Sequence, residues 1–130
     1  MITPLATASG KAVTTAPLKG VEILIMDAQT VDETVSTVVC PSSGIKNHTF
    51  TIKTSADCTG NVQLETANDP TYTGVWSPLG GGPIDLATIV TPNAACELQL
   101  QFSNITFGAA RARIDTVVAV GTVSVTYLGN

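Results

Sequence analysis

The sequence predicts an all-β protein: an antiparallel β-sandwich of about eight to nine strands, jelly-roll-like, with an extended N-terminal arm. Three observations carry this expectation. Thr and Val fill 20 and 14 of the 130 positions, and both are β-branched types that suit a pleated, half-buried surface. Apolar and polar residues alternate in short runs, the mark of strands with one face buried. Turn residues recur every 8–12 positions or so, the spacing of sandwiches and barrels. No segment longer than about 10 residues has helical periodicity.

Residues 1–20 (MITPLATASGKAVTTAPLKG) have no sustained period and are broken by Pro, Gly and Lys. They read as an extended arm, with the sandwich domain at 21–130. A secretory signal would need a basic start and an unbroken apolar stretch, and neither is present.

The strands follow in order. Residues 21–26 (VEILIM) and 34–39 (TVSTVV) are the first two apolar runs. Residues 48–54 (HTFTIKT) alternate with Phe50 and Ile52 on one face, and His48 reads as a surface or edge residue. Residues 61–66 (NVQLET) alternate with Val62 and Leu64. Residues 75–79 (VWSPL) hold the only Trp, and Pro78 moves this run toward an edge. Residues 80–83 (GGGP) read as a loop, followed by a run at 84–90 in which residues 85–90 suit a short turn as an alternative to a strand. The cleanest alternation is 96–102 (CELQLQF). Residues 110–118 and 122–128 complete the set.

Composition excludes several functions. Charged residues make up 12% of the chain, about half the usual share, so the strands' wet faces carry Thr, Gln and Ser. Six basic residues stand against ten acidic ones, which argues against a nucleic-acid partner. No apolar run reaches the roughly 18 residues of a membrane span. The high apolar content excludes a disordered chain.

Catalytic material is sparse. There is one histidine, and no nucleophile elbow, zinc-protease motif or phosphate loop occurs. Asp27, Asp32 and Glu33 do not match a calcium loop and read as a solvated turn. Cys40, Cys58 and Cys96 form no CxxC pair and read as buried free thiols rather than a disulfide set or a zinc site. No metal, cofactor or catalytic residue is expected.

Four residues are candidates for interaction. Tyr72 and Trp76 lie four apart around a loop and could stack on a sugar ring, although a single Trp more readily fills a core. Arg111 and Arg113, the only arginines, lie two apart and so share a strand face. Their partners are carboxylates on a neighbouring strand or on another subunit.

The stretch 60–80 (GNVQLETANDPTYTGVWSPLG), then ARARI at 110–114 and GTVSVTYLG at 121–129, resembles small β-sandwich virion proteins of tailed bacteriophages. Over roughly residues 45–130 the pattern is most similar to the head decoration, or cement, proteins. The resemblance implies a non-enzymatic subunit on the virion exterior that binds the major capsid protein and braces capsomer junctions. It implies a homo-oligomer, a trimer before a dimer, in which an N-terminal arm links neighbours. A carbohydrate- or receptor-binding module of a phage tail or fibre is the alternative, as is another tail or neck component.

Overall fold

The structure is a computed structural model, and it describes residues 14–42, 44–55, 58–89 and 96–130. Nine strands form two sheets: β1 (Thr14–Thr15), β2 (Glu22–Gln29), β3 (Val38–Val39), β4 (His48–Thr54), β5 (Thr59–Ala67), β6 (Ser77–Asp85), β7 (Cys96–Phe102), β8 (Ala109–Ala119) and β9 (Val123–Gly129). One sheet runs β1-β3-β8-β5-β6 and the other β2-β9-β4-β7.

This order has a simple origin. β5 pairs with β6, β4 with β7, β3 with β8 and β2 with β9, all antiparallel. The chain is thus one long hairpin with β5 and β6 at its tip. Rolling that hairpin up places alternate pairs in opposite sheets, which is the jelly-roll arrangement.

Alternation fixes the inner faces. Val62 and Leu64 of β5, with Ala110, Ala112 and Ile114 of β8, face Phe50 and Ile52 of β4 and Val123, Val125 and Tyr127 of β9. Leu98, Leu100 and Phe102 of β7 pack at the margin of the same core. The alanines of β8 are small where Phe50 and Tyr127 are large, and the two aromatic rings meet edge to face, 5.1 Å between centroids.

Two sequence expectations change, and one with two readings is decided. Residues 80–83 are not a loop between two strands but lie within β6. Gly80, Gly81 and Gly82 all have positive φ, and the β5–β6 register slips between Val62 and Leu64. An edge strand satisfies only one ladder, so it tolerates this bulge and the prolines at 78 and 83. The run at 34–39 shortens to Val38–Val39, preceded by a single bridge from Val35 to Arg113. For the run at 84–90 the structure takes the turn rather than the strand: β6 ends at Asp85 and a 3₁₀ turn follows at Leu86–Thr88, with the Asp85 carboxylate accepting from the Ala87 N–H.

The N-terminal segment is tied to the sandwich from Thr14 onward. β1 runs parallel to β3, and Gly20 N–H donates to the Gly129 carbonyl at 2.7 Å. The first part of the expected arm, residues 1–13, lies outside the described residues. Cys40 is half-buried, Cys58 is buried, and both are free thiols. The Cys96 side chain lies outside the description.

Candidate functional site

The outer face of the five-stranded sheet holds all four candidate residues or their neighbours. On β5 the outward positions are Gln63 and Glu65, and their β8 partners are Arg113 and Arg111. Glu65 is only 3% exposed. Its carboxylate accepts from Arg111 Nε at 2.9 Å, Arg113 Nε at 3.0 Å and Gln63 Nε2 at 2.6 Å. Arg113 also reaches Glu33 at 3.0 Å and Asp115 at 3.2 Å. Burial alone would lower the Arg113 pKa, but the Glu65 hydrogen bond and the charges of Glu65, Glu33 and Asp115 outweigh it and raise it. Glu33, grouped by sequence with Asp27 and Asp32 in a solvated turn, therefore has a structural partner.

Trp76 is 5% exposed, yet it does not lie between the sheets. It packs with Val38 and Ala109 in a second, smaller cluster. Val39 and Ala110 face the main core, so alternation puts Val38 and Ala109 on the outside of the sheet. The expectation that the Trp fills the sandwich is corrected to a Trp that seals its outer surface. The Arg111 guanidinium carbon lies 4.2 Å from the ring centroid, a cation–π cap. Trp76 Nε1 donates to the Tyr72 carbonyl at 3.3 Å.

Tyr72 remains half-exposed, at 48%, on the loop that follows β5. The Asp69 carboxylate holds that loop, accepting from Thr71 N–H at 2.8 Å and Thr71 Oγ1 at 2.7 Å. Those bonds pull the Asp69 pKa down. Beside Tyr72 is a recess of about 330 Å³ lined by Asn68, Asp69, Val75, Thr106 and Phe107 among others. Tyr72 and Trp76 therefore do not form one platform: one ring faces the recess and the other is turned into the sheet.

His48 corrects a further expectation. It is 1% exposed and sits on β4, between β9 and β7. Nε2 lies 3.1 Å from the Ile105 carbonyl, and Nδ1 lies 2.6 Å from the Tyr127 hydroxyl. A carbonyl only accepts, so Nε2 carries the proton and Nδ1 accepts from Tyr127. Burial lowers the His48 pKa, opposed by the Ile105 hydrogen bond. Burial also pushes Tyr127 up to about 12. Both rings are used to satisfy buried polar atoms. Among the described residues no cluster of three or more His, Cys, Asp or Glu side chains is placed to hold a metal.

The outer face of the four-stranded sheet is chemically different. Register aligns Leu24, Thr126, Thr51 and Gln99 in one row across it. Glu22, Leu128, Thr49 and Gln101 form the next. Charge on this face is carried by Glu22 and Asp27 of β2, Lys53 of β4 and Glu97 of β7, toward the ends of the strands. The neutral surface expected from composition is a property of this sheet; the other sheet's face is crossed by the Arg–Glu network. No protein-family model matches the sequence, and no curated protein matches it significantly. The fold is that of an all-β jelly-roll sandwich, an architecture shared by viral capsid and lectin domains.

Proposed function

We propose that this protein is a structural, non-enzymatic virion subunit: a capsid decoration or cement protein that binds the major capsid protein on the outside of a phage head. The observation that carries the reading is the neutral outer face of the four-stranded sheet. Leu24 there is 55% exposed and Gln99 at the other end of its row is exposed, while Thr126 and Thr51 between them are buried. Such a face can be covered by a shell without stranding unpaired charge. Repeated copies on a lattice add weak contacts by multivalency. Residues 1–13, largely uncharged, suit an arm between neighbouring copies, and the phage resemblance implies a homo-oligomer at capsomer junctions.

The test is co-sedimentation with heads of the phage that carries the coding sequence, stripped of this protein. Saturable binding at a fixed number of copies per head supports the reading. Absence of binding at micromolar protein refutes it.

One observation favours a second reading, a carbohydrate-binding module of a phage tail or fibre. The recess beside half-exposed Tyr72, with Asn68 and Asp69 on its wall, has the size of a small-ligand pocket. Trp76 supplies nothing to it. Oligosaccharide binding by calorimetry that disappears in Tyr72→Ala would favour this reading over the capsid one.

A further inference from the structure

The four sheet edges are not equally protected. β1 is two residues long. β2 is broken by register shifts at two places, with Ala28 at φ 49°. β6 carries two prolines and three glycines of positive φ. Bulges, prolines and short length are the devices by which proteins keep an edge from pairing. β7 has none of them. Its seven residues keep an unbroken register with β4 from Phe102 to Cys96, and no described strand pairs with its other side.

The direction of the free backbone groups follows from the ladder. Asn47 and Asn130 exchange both hydrogen bonds, at 3.1 and 2.8 Å, and Ser55 N–H donates to Thr122 at 3.0 Å. Odd-numbered residues of β4 therefore bond to β9, and the even-numbered ones bond to β7. In the β4–β7 register these even partners are Leu98, Leu100 and Phe102. The N–H and C=O groups of Glu97, Gln99 and Gln101 point out of the sheet.

We propose that this edge pairs with the same edge of a second copy, antiparallel, about a two-fold axis through Gln99. The sequence is self-complementary in that register. Gln99 faces Gln99 of the second copy, Glu97 faces its Gln101, and Leu98 faces its Leu100. The single charge on each strand meets an amide that can donate to it, and no like charges stand opposite each other. Leucines half-buried against one core meet their equivalents, so the apolar layer continues from one sandwich to the next. The two four-stranded sheets become one of eight. A second copy fits better than an arm from residues 1–13, because Pro4 and Gly10 interrupt a ladder that β7 offers unbroken. The contact uses an edge and leaves both outer faces free, so it is independent of attachment to a shell.

The experiment is sedimentation equilibrium of the full-length free protein, which should give twice the 13.4 kDa of one chain. Gln99→Pro should yield a monomer with unchanged far-UV dichroism, because the N–H it removes points away from β4. Gln99→Lys and Gln99→Glu should each weaken the dimer about fivefold or more, and mixing the two should restore it as a heterodimer. Deleting residues 1–13 should leave the dimer intact. A wild-type mass of one chain or three overturns the proposal. So does loss of the dimer on deleting the arm, or a dimer indifferent to both charge variants, a result that decides even if Gln99→Pro fails to fold.

Discussion

Arg111 sits over Trp76, its guanidinium carbon 4.2 Å from the ring centroid, while its Nε donates to Glu65 at 2.9 Å. One side chain thereby ties the outer apolar cluster to the charge network. The cap covers one face of an indole whose other neighbours include Val38 and Ala109. Arg111→Ala should shift the Trp76 emission maximum to longer wavelength and leave the sandwich folded. An unshifted spectrum would mean that the Tyr72 loop buries the ring without the arginine.

Glu65 is the hub of that network, and its side chain is 4% exposed. Glu65→Gln keeps the shape and removes the charge that faces two arginines. Breaking a buried pair from one side typically costs about 3 kcal/mol. For a domain of this size that is a fall of roughly 10 °C in Tm. Glu33→Gln, at the solvent end of the same network, should cost well under about 1 kcal/mol. Thermal melts of the two variants check the contrast.

The His48–Tyr127 pair sets a dependence on pH at both ends. The His48 pKa is lowered in the folded state, so the unfolded chain takes up its proton first. The stability due to neutral His48 is full above pH 6.5 or so and declines as pH falls below it. Tyr127, raised to about 12, behaves in the opposite sense. Its contribution is full below the ordinary tyrosine value of about 10 and is lost as pH rises toward 12, on the order of 2 kcal/mol. Denaturant melts across pH should show both slopes. His48→Gln should flatten the acid limb between pH 7 and 5, and Tyr127→Phe the alkaline one.

Val120 occupies the turn between β8 and β9 at φ 64° and is 70% exposed. A β-branched residue in that conformation is strained. Val120→Asn should stabilise the protein by about 1 kcal/mol, read as a higher midpoint in urea. No gain would mean that the valine side chain makes a compensating contact.

The strands that could be read from sequence were those with strict alternation. β7 matches its predicted bounds because every second residue from Cys96 to Phe102 is apolar. β6 was hidden because three glycines and a proline mimic a loop, and only its place at an edge lets them remain a strand. His48 was legible in principle: it shares the face of Phe50 and Ile52, yet its polarity suggested solvent. Trp76 was expected to be buried, but alternation cannot say on which side of a sheet a loop residue will settle. The pairing of the arginines with a neighbouring carboxylate was foreseeable. That the carboxylate is Glu65 depends on β5 lying beside β8, a contact across 46 residues that no local pattern encodes.

The most direct test of the proposed role is a cryo-electron microscopy reconstruction of phage heads saturated with the protein. The account predicts sandwich-shaped density on the outside of the shell, with the outer face of β2, β9, β4 and β7 turned toward the capsid. Heads without added density, or density with the Arg111 and Arg113 face against the shell, would contradict it.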